Sequence, residues 1–439
     1  MAPRTAPGTD LKYHLVSFDE NGKERPTAQS QWESEAIMHA LADKSASITD
    51  VCFVVHGWKG DFPEAIKQFD SWLGAMYGAR GDRARASNRV FRPLVVGLHW
   101  PSQPWGDEDQ PKVAESHSGL LGEGSPVEHL VATIAITRPA RDAVARILAA
   151  AERQGDSTQM SLDVREAYET VFRESGLDRD VTLGDLDAGD TVTWDPVKLF
   201  EQAVADEVPS KLLGLRNFKD ALLSPLRQLS FWTMKNRARS FGESGAANLL
   251  ARIMDATDPT VRLHLTGHSF GCIVASAAVQ SAPTFAANWR PVGSLLLIQG
   301  ALSLWAFARS VPDETASGYF HPLMRDQLVA GPIVATLSIH DNAVGKYYPI
   351  GARLRSQALL ASFPKYGGIG TFGLQGVDAV PIVVQQGYFP SYGFQPGRAY
   401  NAESSRVIAK GKGLSGAHSD IASPEIAHLA WELIVPAKS

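Results

Sequence analysis

With 439 residues, 44% of them hydrophobic and 20% charged, the chain has ordinary globular composition and enough apolar mass for a large core, which excludes fibrous and disordered classes. A net charge of −5 gives no electrostatic reason to expect nucleic acid or an anionic membrane surface as a partner. Only two cysteines, Cys52 and Cys272, are present, both in apolar runs; they exclude a disulfide framework and, with no apolar export segment at the N-terminus, predict a cytoplasmic location. No uninterrupted apolar stretch of about 18 residues is found, so a transmembrane segment is not expected.

Taken in chain order, Leu11 to Phe18 alternates apolar and polar residues as a half-exposed strand does, and Asn21-Gly22 follows as a turn. Val51-Cys-Phe-Val-Val55 and Leu94-Val-Val-Gly-Leu98 are continuous apolar runs, the pattern of parallel strands buried on both faces. Helical spacing over Pro63 to Met76 between them predicts a βαβ unit, and Arg80, Arg83 and Arg85 read as a solvated loop. Further strands are expected at Val261 to Thr266, Ser294 to Ile298, Ile333 to Leu337 and Ser405 to Ala409, with helices over Cys272 to Gln280 and Pro424 to Ile434. This alternation predicts an α/β fold, a doubly wound and mostly parallel sheet.

Residues 103–245 break the rhythm, being roughly three to four times longer than one crossover requires. Arg138 to Ala151, Ser161 to Glu174 and Val197 to Val204 read as helices, with Trp194 and Trp232 near apolar patches. The expectation is a helical cap of residues 103–245 inserted into a core made of 1–102 and 246–439, covering the site and setting specificity. Tyr366 to Tyr400, rich in Gly and aromatics, reads as a long loop.

The strongest local signal is Gly267-His268-Ser269-Phe270-Gly271, placed directly after a strand and before a small-residue helix. A strand that turns sharply into a helix holds the serine at strained angles and leaves no room for side chains beside it, which Gly267 and Gly271 satisfy. A serine hydroxyl needs an imidazole to take its proton, and the imidazole needs a carboxylate to fix its tautomer. His418 lies after the last strand and before the final helix, and Asp341 lies after the strand Ile333 to Leu337, with Asp378 and Asp420 as rival acids.

These residues resemble the α/β-hydrolase superfamily over the sheet portions of residues 48–434. The resemblance implies a triad in the chain order nucleophile, acid, histidine, which Ser269, Asp341 and His418 supply. Val54-Val55-His56-Gly57-Trp58 resembles the family's oxyanion loop, and by that pattern the amides of Trp58 and Phe270 are the donors, with His56 tying its loop. Together with Trp100-Pro101-Ser102, this stretch also resembles bacterial hydrolases of unknown function. The expected activity is cofactor-free acyl transfer to water on a small-molecule or lipid-like ester. Amide, lactone, an acyl acceptor other than water, and a non-catalytic ligand-binding or scaffold protein on the same fold remain alternatives, and the oligomeric state is left open.

Other signals are weaker. Trp100 and Trp105 either line a substrate pocket or belong to the core. Gly368-Ile-Gly370-Thr-Phe-Gly373 matches a dinucleotide fingerprint in letters, but no strand leads into it and no helix is expected after it. Asp107-Glu-Asp109 could form a metal cluster, but three adjacent acids do not converge on one face and read as solvated; with no CxxC or HExxH spacing, no metal is expected. His428, inside the last helix, reads as packing or solvent-facing.

Overall fold

The computed structural model describes residues 3–58, 62–88, 90–102, 135, 137–153, 159–176, 194–206, 221–312, 316–341, 367–411 and 416–435. Two compact units emerge, Met1–Ser102 with Arg237–Ser439, and Gln103–Asn236. The second boundary thus falls at Asn236, inside a helix, and not at Gly245 as the sequence reading had it.

The first unit is built on nine strands: β1 Arg4–Thr5, β2 Lys12–Ser17, β3 Asp50–Val55, β4 Pro93–His99, β5 Arg262–His268, β6 Ser294–Ile298, β7 Ile333–Leu337, β8 Ala379–Val383 and β9 Ala399–Glu403. Their order across the sheet is β1-β2-β4-β3-β5-β6-β7-β9-β8, and every pair is parallel except β1 with β2. The chain starts near one edge, reaches β3 in the interior and continues outward from β5 toward the other edge. Loops following β3 and β5, on adjacent strands, therefore leave the same carboxyl end of the sheet side by side, the usual place for a ligand crevice in open α/β sheets.

The central strands β3, β4, β5 and β6 are the apolar runs read from the sequence, buried on both faces as parallel strands must be. Helices cover the sheet: α1 Glu33–Ala42, α2 Phe62–Gly78 and α3 Arg80–Ser87 precede the second unit. Four lie in or enter the second unit: α4 Arg138–Glu152, α5 Leu162–Ser175, α6 Pro196–Asp206 and α7 Ser224–Phe241. After them come α8 Ala247–Ala256, α9 Gly271–Ser281, α10 His321–Arg325, α11 Ile369–Phe372 and α12 Pro424–Ile434. Phe69 and Trp72 of α2 and Ile426, Leu429 and Leu433 of α12 belong to one apolar cluster on one face. No described helix is long and apolar enough to cross a membrane.

Within the second unit, α4 and α5 begin at side-chain caps that satisfy otherwise orphaned amides, Thr137 for one and Ser161 for the other. Gly176, at φ +72, ends α5 in the left-handed conformation that glycine reaches without strain. Both helices bury a face of Ala, Val, Ile and Tyr, and Trp194 stacks on Phe172 with ring centroids 4.8 Å apart.

Three expectations are corrected. The strand expected at Ser405 to Ala409 lies at Ala399–Glu403; Ser405 to Val407 form a turn whose Val407 and Ile408 are buried by the loop rather than by sheet pairing. The interval Tyr366 to Tyr400 is not one loop, since its described part contains α11 and the edge strand β8, whose Pro381 is tolerated because an edge strand has one unpaired side. The arginine cluster at 80–85 is helical. Arg85 Nη2 reaches Asp82 at 3.1 Å and Glu432 at 2.7 Å, and Arg83 donates to the Tyr77 carbonyl at 2.9 Å. His428 completes that clasp, meeting Asp82 through Nδ1 at 3.0 Å and the Pro390 carbonyl through Nε2 at 2.8 Å. Of the two readings for His428, packing is the one that fits: it is buried beside the rings of Phe389 and Tyr392, with hydrogen bonds added.

Candidate active site

β5 ends at His268, and Ser269 takes up φ +56 before α9 begins at Gly271. A non-glycine residue in that region stores roughly 1–3 kcal/mol of strain, sustained only where the surroundings over-determine it. Here they do. Ser269 N–H donates to the Ile298 carbonyl at 3.1 Å, and its own carbonyl accepts from Cys272 and Ala301. A Cβ on Gly267 would lie 2.4 Å from the Gly271 carbonyl oxygen, and one on Gly271 would lie 2.4 Å from the Val55 carbonyl oxygen. Both glycines are therefore required by close backbone approach. Gly271→Ala is expected to lower unfolding free energy by about 1–3 kcal/mol, because the obstructing atoms are backbone and cannot rotate away; an unchanged urea midpoint would refute this.

His418 and Asp341 come to the serine from strands β9 and β7. Ser269 Oγ lies 2.8 Å from His418 Nε2, and His418 Nδ1 lies 2.8 Å from Asp341 Oδ2. The loops carrying the two partners are joined by a backbone bridge between Asp341 and Gly416 and by Ala417 N–H donating to the His340 carbonyl at 2.9 Å. Asp341 is fully buried, while Ser269 and His418 keep 6% and 8% of their surface.

The rival acids are placed elsewhere. Asp378 has an almost fully exposed side chain 3.6 Å from Arg398, and Asp420 accepts from the amides of Ala409 and Lys410. His340 is exposed.

The acid has a support that the sequence did not disclose. Gln299, at φ +47 just beyond β6, donates through Nε2 to Asp341 Oδ2 at 2.9 Å and to the Gly370 carbonyl at 3.1 Å. Its Oε1 accepts from Thr336 at 3.0 Å, so the orientation of the amide is dictated. A Cβ on Gly370 would fall 2.8 Å from Asp341 Oδ2. The glycine-rich Gly368 to Gly373 stretch, part of the segment expected to be a long loop, is thus α11 and its caps, and it walls the carboxylate. No motif marks Gln299; its signal is only a polar residue ending an apolar strand.

The loop after β3 runs against Ser269: a Cβ on Gly57 would lie 2.8 Å from Ser269 Cβ. The Trp58 ring packs on that of Phe270 with centroids 5.5 Å apart. His56 is enclosed, its Nδ1 2.8 Å from the Gly57 carbonyl and its Nε2 accepting from Trp100 N–H at 3.2 Å; burial, then the neighbouring His99, depresses its pKa far below the usual histidine range. Trp100 is completely buried and donates through Nε1 to the His56 carbonyl at 2.9 Å. That makes it a strut for the loop and not a pocket lining, the core alternative of the two read for it. Trp105 and Asp107 to Asp109 lie outside the described residues.

A second Ser-His-Asp set shows what geometry alone does not supply. At the opposite end of the sheet His264 lies 2.8 Å from Ser294 Oγ and 3.1 Å from Asp50 Oδ1. Asp50 also takes Thr49 at 2.6 Å and Arg262 at 2.8 Å. Ser294 is a residue within β6, 2% exposed, with no strand-to-helix turn around it. This set cross-links β3, β5 and β6. Ser269 differs by its strained turn, its position before a helix and the glycine loop facing it. Comparison of the chain with protein-family models, curated proteins and solved structures finds no match.

Proposed function

We propose that the protein is a serine hydrolase of the α/β-hydrolase type that cleaves carboxylic esters through an acyl-enzyme. The observation that carries this reading is the unbroken line from Ser269 Oγ through His418 to Asp341 at 2.8 Å per contact, starting from a serine at positive φ. In the first half-reaction the Ser269 hydroxyl donates its proton to His418 Nε2 as Oγ attacks the substrate carbonyl. Asp341 accepts from Nδ1–H and stabilises the imidazolium. Amides of Trp58 and Phe270, on the two chain segments nearest Ser269, serve as donors to the oxyanion. His418 then gives its proton to the leaving alcohol, and water repeats the cycle on the acyl-enzyme.

Ser269 follows β5, Trp58 follows β3, Asp341 follows β7 and His418 follows β9, an arrangement that supports this reading. Covalent labelling with a fluorophosphonate probe tests the reading. Wild type is expected to take up one equivalent, and Ser269→Ala none. A folded wild type that stays unlabelled would rule it out, and would favour a non-catalytic binding protein.

A further inference from the structure

His268 occupies the variable position before the nucleophile, yet its ring is enclosed and both nitrogens have partners. Nε2 lies 3.0 Å from the carbonyl oxygen of His418, and Nδ1 lies 2.6 Å from Gln68 Nε2 on α2. At the other end of the Gln68 amide, Oε1 lies 3.3 Å from the Gly57 amide nitrogen. A carbonyl oxygen only accepts and a backbone N–H only donates, so the two ends fix every polarity between them. His268 Nε2 carries the proton and donates to His418; Nδ1 is left as an acceptor, Gln68 presents its NH2 to it, and the Gln68 oxygen accepts from Gly57. Burial, reinforced by the nearby His418, pushes the His268 pKa down to about 3, which keeps the ring in the neutral form this polarity needs.

We infer that Gln68 and His268 are positioning residues, a relay of fixed polarity that ties the loop after β3 to the backbone of His418 and so sets where its imidazole stands over Ser269. The inference rests on the hydrolase reading for its kinetic consequence. Asp341 holds only the ring of His418, and a ring held at one end can tilt when its backbone moves. Ala417 N–H ties the preceding residue to the loop of Asp341, and the relay adds a fixed point at the His418 carbonyl itself, from the side of the loop after β3. The rings of His268 and His418 pack with centroids 5.0 Å apart, so a shift of one carries to the other. A displacement near 1 Å at reacting groups costs on the order of 100-fold in rate.

Two measurements test the relay. In the first, wild type, Gln68→Met, His268→Phe and His268→Gln are compared for ester turnover and for the rate of fluorophosphonate labelling, after thermal melts confirm folding. His268→Gln retains an acceptor oxygen for Gln68 and an N–H for the His418 carbonyl. Gln68→Met and His268→Phe are expected to lower kcat and the labelling rate by about 10- to 100-fold with KM little changed, while His268→Gln recovers most of the loss. Wild-type rates in folded His268→Phe and Gln68→Met, or equal losses in His268→Gln and His268→Phe, would overturn the relay with the hydrolase reading intact. In the second, ¹⁵N NMR of the histidine side chains is read without any substrate. His268 is expected as the Nε2–H tautomer, unchanged between pH 7 and 5, with Nδ1 altered in Gln68→Met. An Nδ1–H tautomer, or titration near pH 6.5, would overturn the relay even in a protein without hydrolase activity.

Discussion

His418→Ala is expected to cut ester turnover by about four orders of magnitude or more, with labelling of Ser269 slowed in parallel, because the serine hydroxyl then has no base within reach. The imidazole contacts both Ser269 and Asp341. Loss should appear in kcat, since the proton moves only as the transition state forms. The acid variants should separate. Asp341 Oδ2 receives both His418 Nδ1 and Gln299 Nε2, so an amide oxygen placed there by Asp341→Asn can still accept from both and preserve the tautomer of His418. Its cost is then mainly the lost carboxylate charge that stabilised the imidazolium, about 100-fold or 2.7 kcal/mol. Asp341→Ala removes the acceptor as well and should approach the His418 variant. Steady-state kinetics of the three decide it; an Asp341→Asn enzyme as slow as Asp341→Ala would show that Gln299 does not hold the acceptor in place. Asp378→Asn and Asp420→Asn should leave turnover unchanged.

Acidification is expected to destabilise the fold steeply below about pH 6.5. Burial holds four histidines below their ordinary value of 6.5: His56 far below, His264 lower, His99 down to about 4 and His268 down to about 3. Each is neutral when folded but takes up a proton in the unfolded chain once the pH passes below 6.5. The unfolded state then binds more protons, so the stability these groups provide is present above pH 6.5 and is lost as the pH falls toward their folded values. A histidine that titrates only when unfolded costs about 1.4 kcal/mol per pH unit, and the contributions of these groups add in the same direction. His428 works in the other direction. Burial lowers it, but hydrogen bonds to Asp82 and Pro390 outweigh that and raise it, so its contribution is present below 6.5 and fades as the pH rises. Urea midpoints between pH 7.5 and 5.0 measure the slope. His99 gives a control, since its ring nitrogens have no hydrogen-bond partner among the described residues. His99→Phe should be more stable at pH 7 by about 1 kcal/mol, because an unsatisfied buried ring is replaced by an apolar one, and should lose acid sensitivity by one proton. A pH-independent midpoint would refute the account.

Glycines, small residues and buried apolar runs are local requirements, so the central strands, α9 and the Ser269 turn were legible from residue types alone. The final strand was misplaced because Ala399–Glu403 alternates instead of running apolar, and a buried turn at Val407 and Ile408 imitates a strand. His418 and Asp341 could be ordered from their loops, but a carboxylate's partner depends on where chain segments cross, so Asp378 and Asp420 could be set aside only in three dimensions.

The same limit explains Gln68, Gln299 and Trp100. Gln68 and His268 are 200 residues apart in the chain, as close as 2.6 Å in space, and carry no motif. The sequence by itself determined where a strained serine could be built, because the backbone angles of one turn depend on the few residues that form it. Which of two Ser-His-Asp sets stands at a strained turn, and what holds its histidine, was decided by the tertiary structure, because hydrogen-bond partners and their polarity depend on what long-range packing brings together.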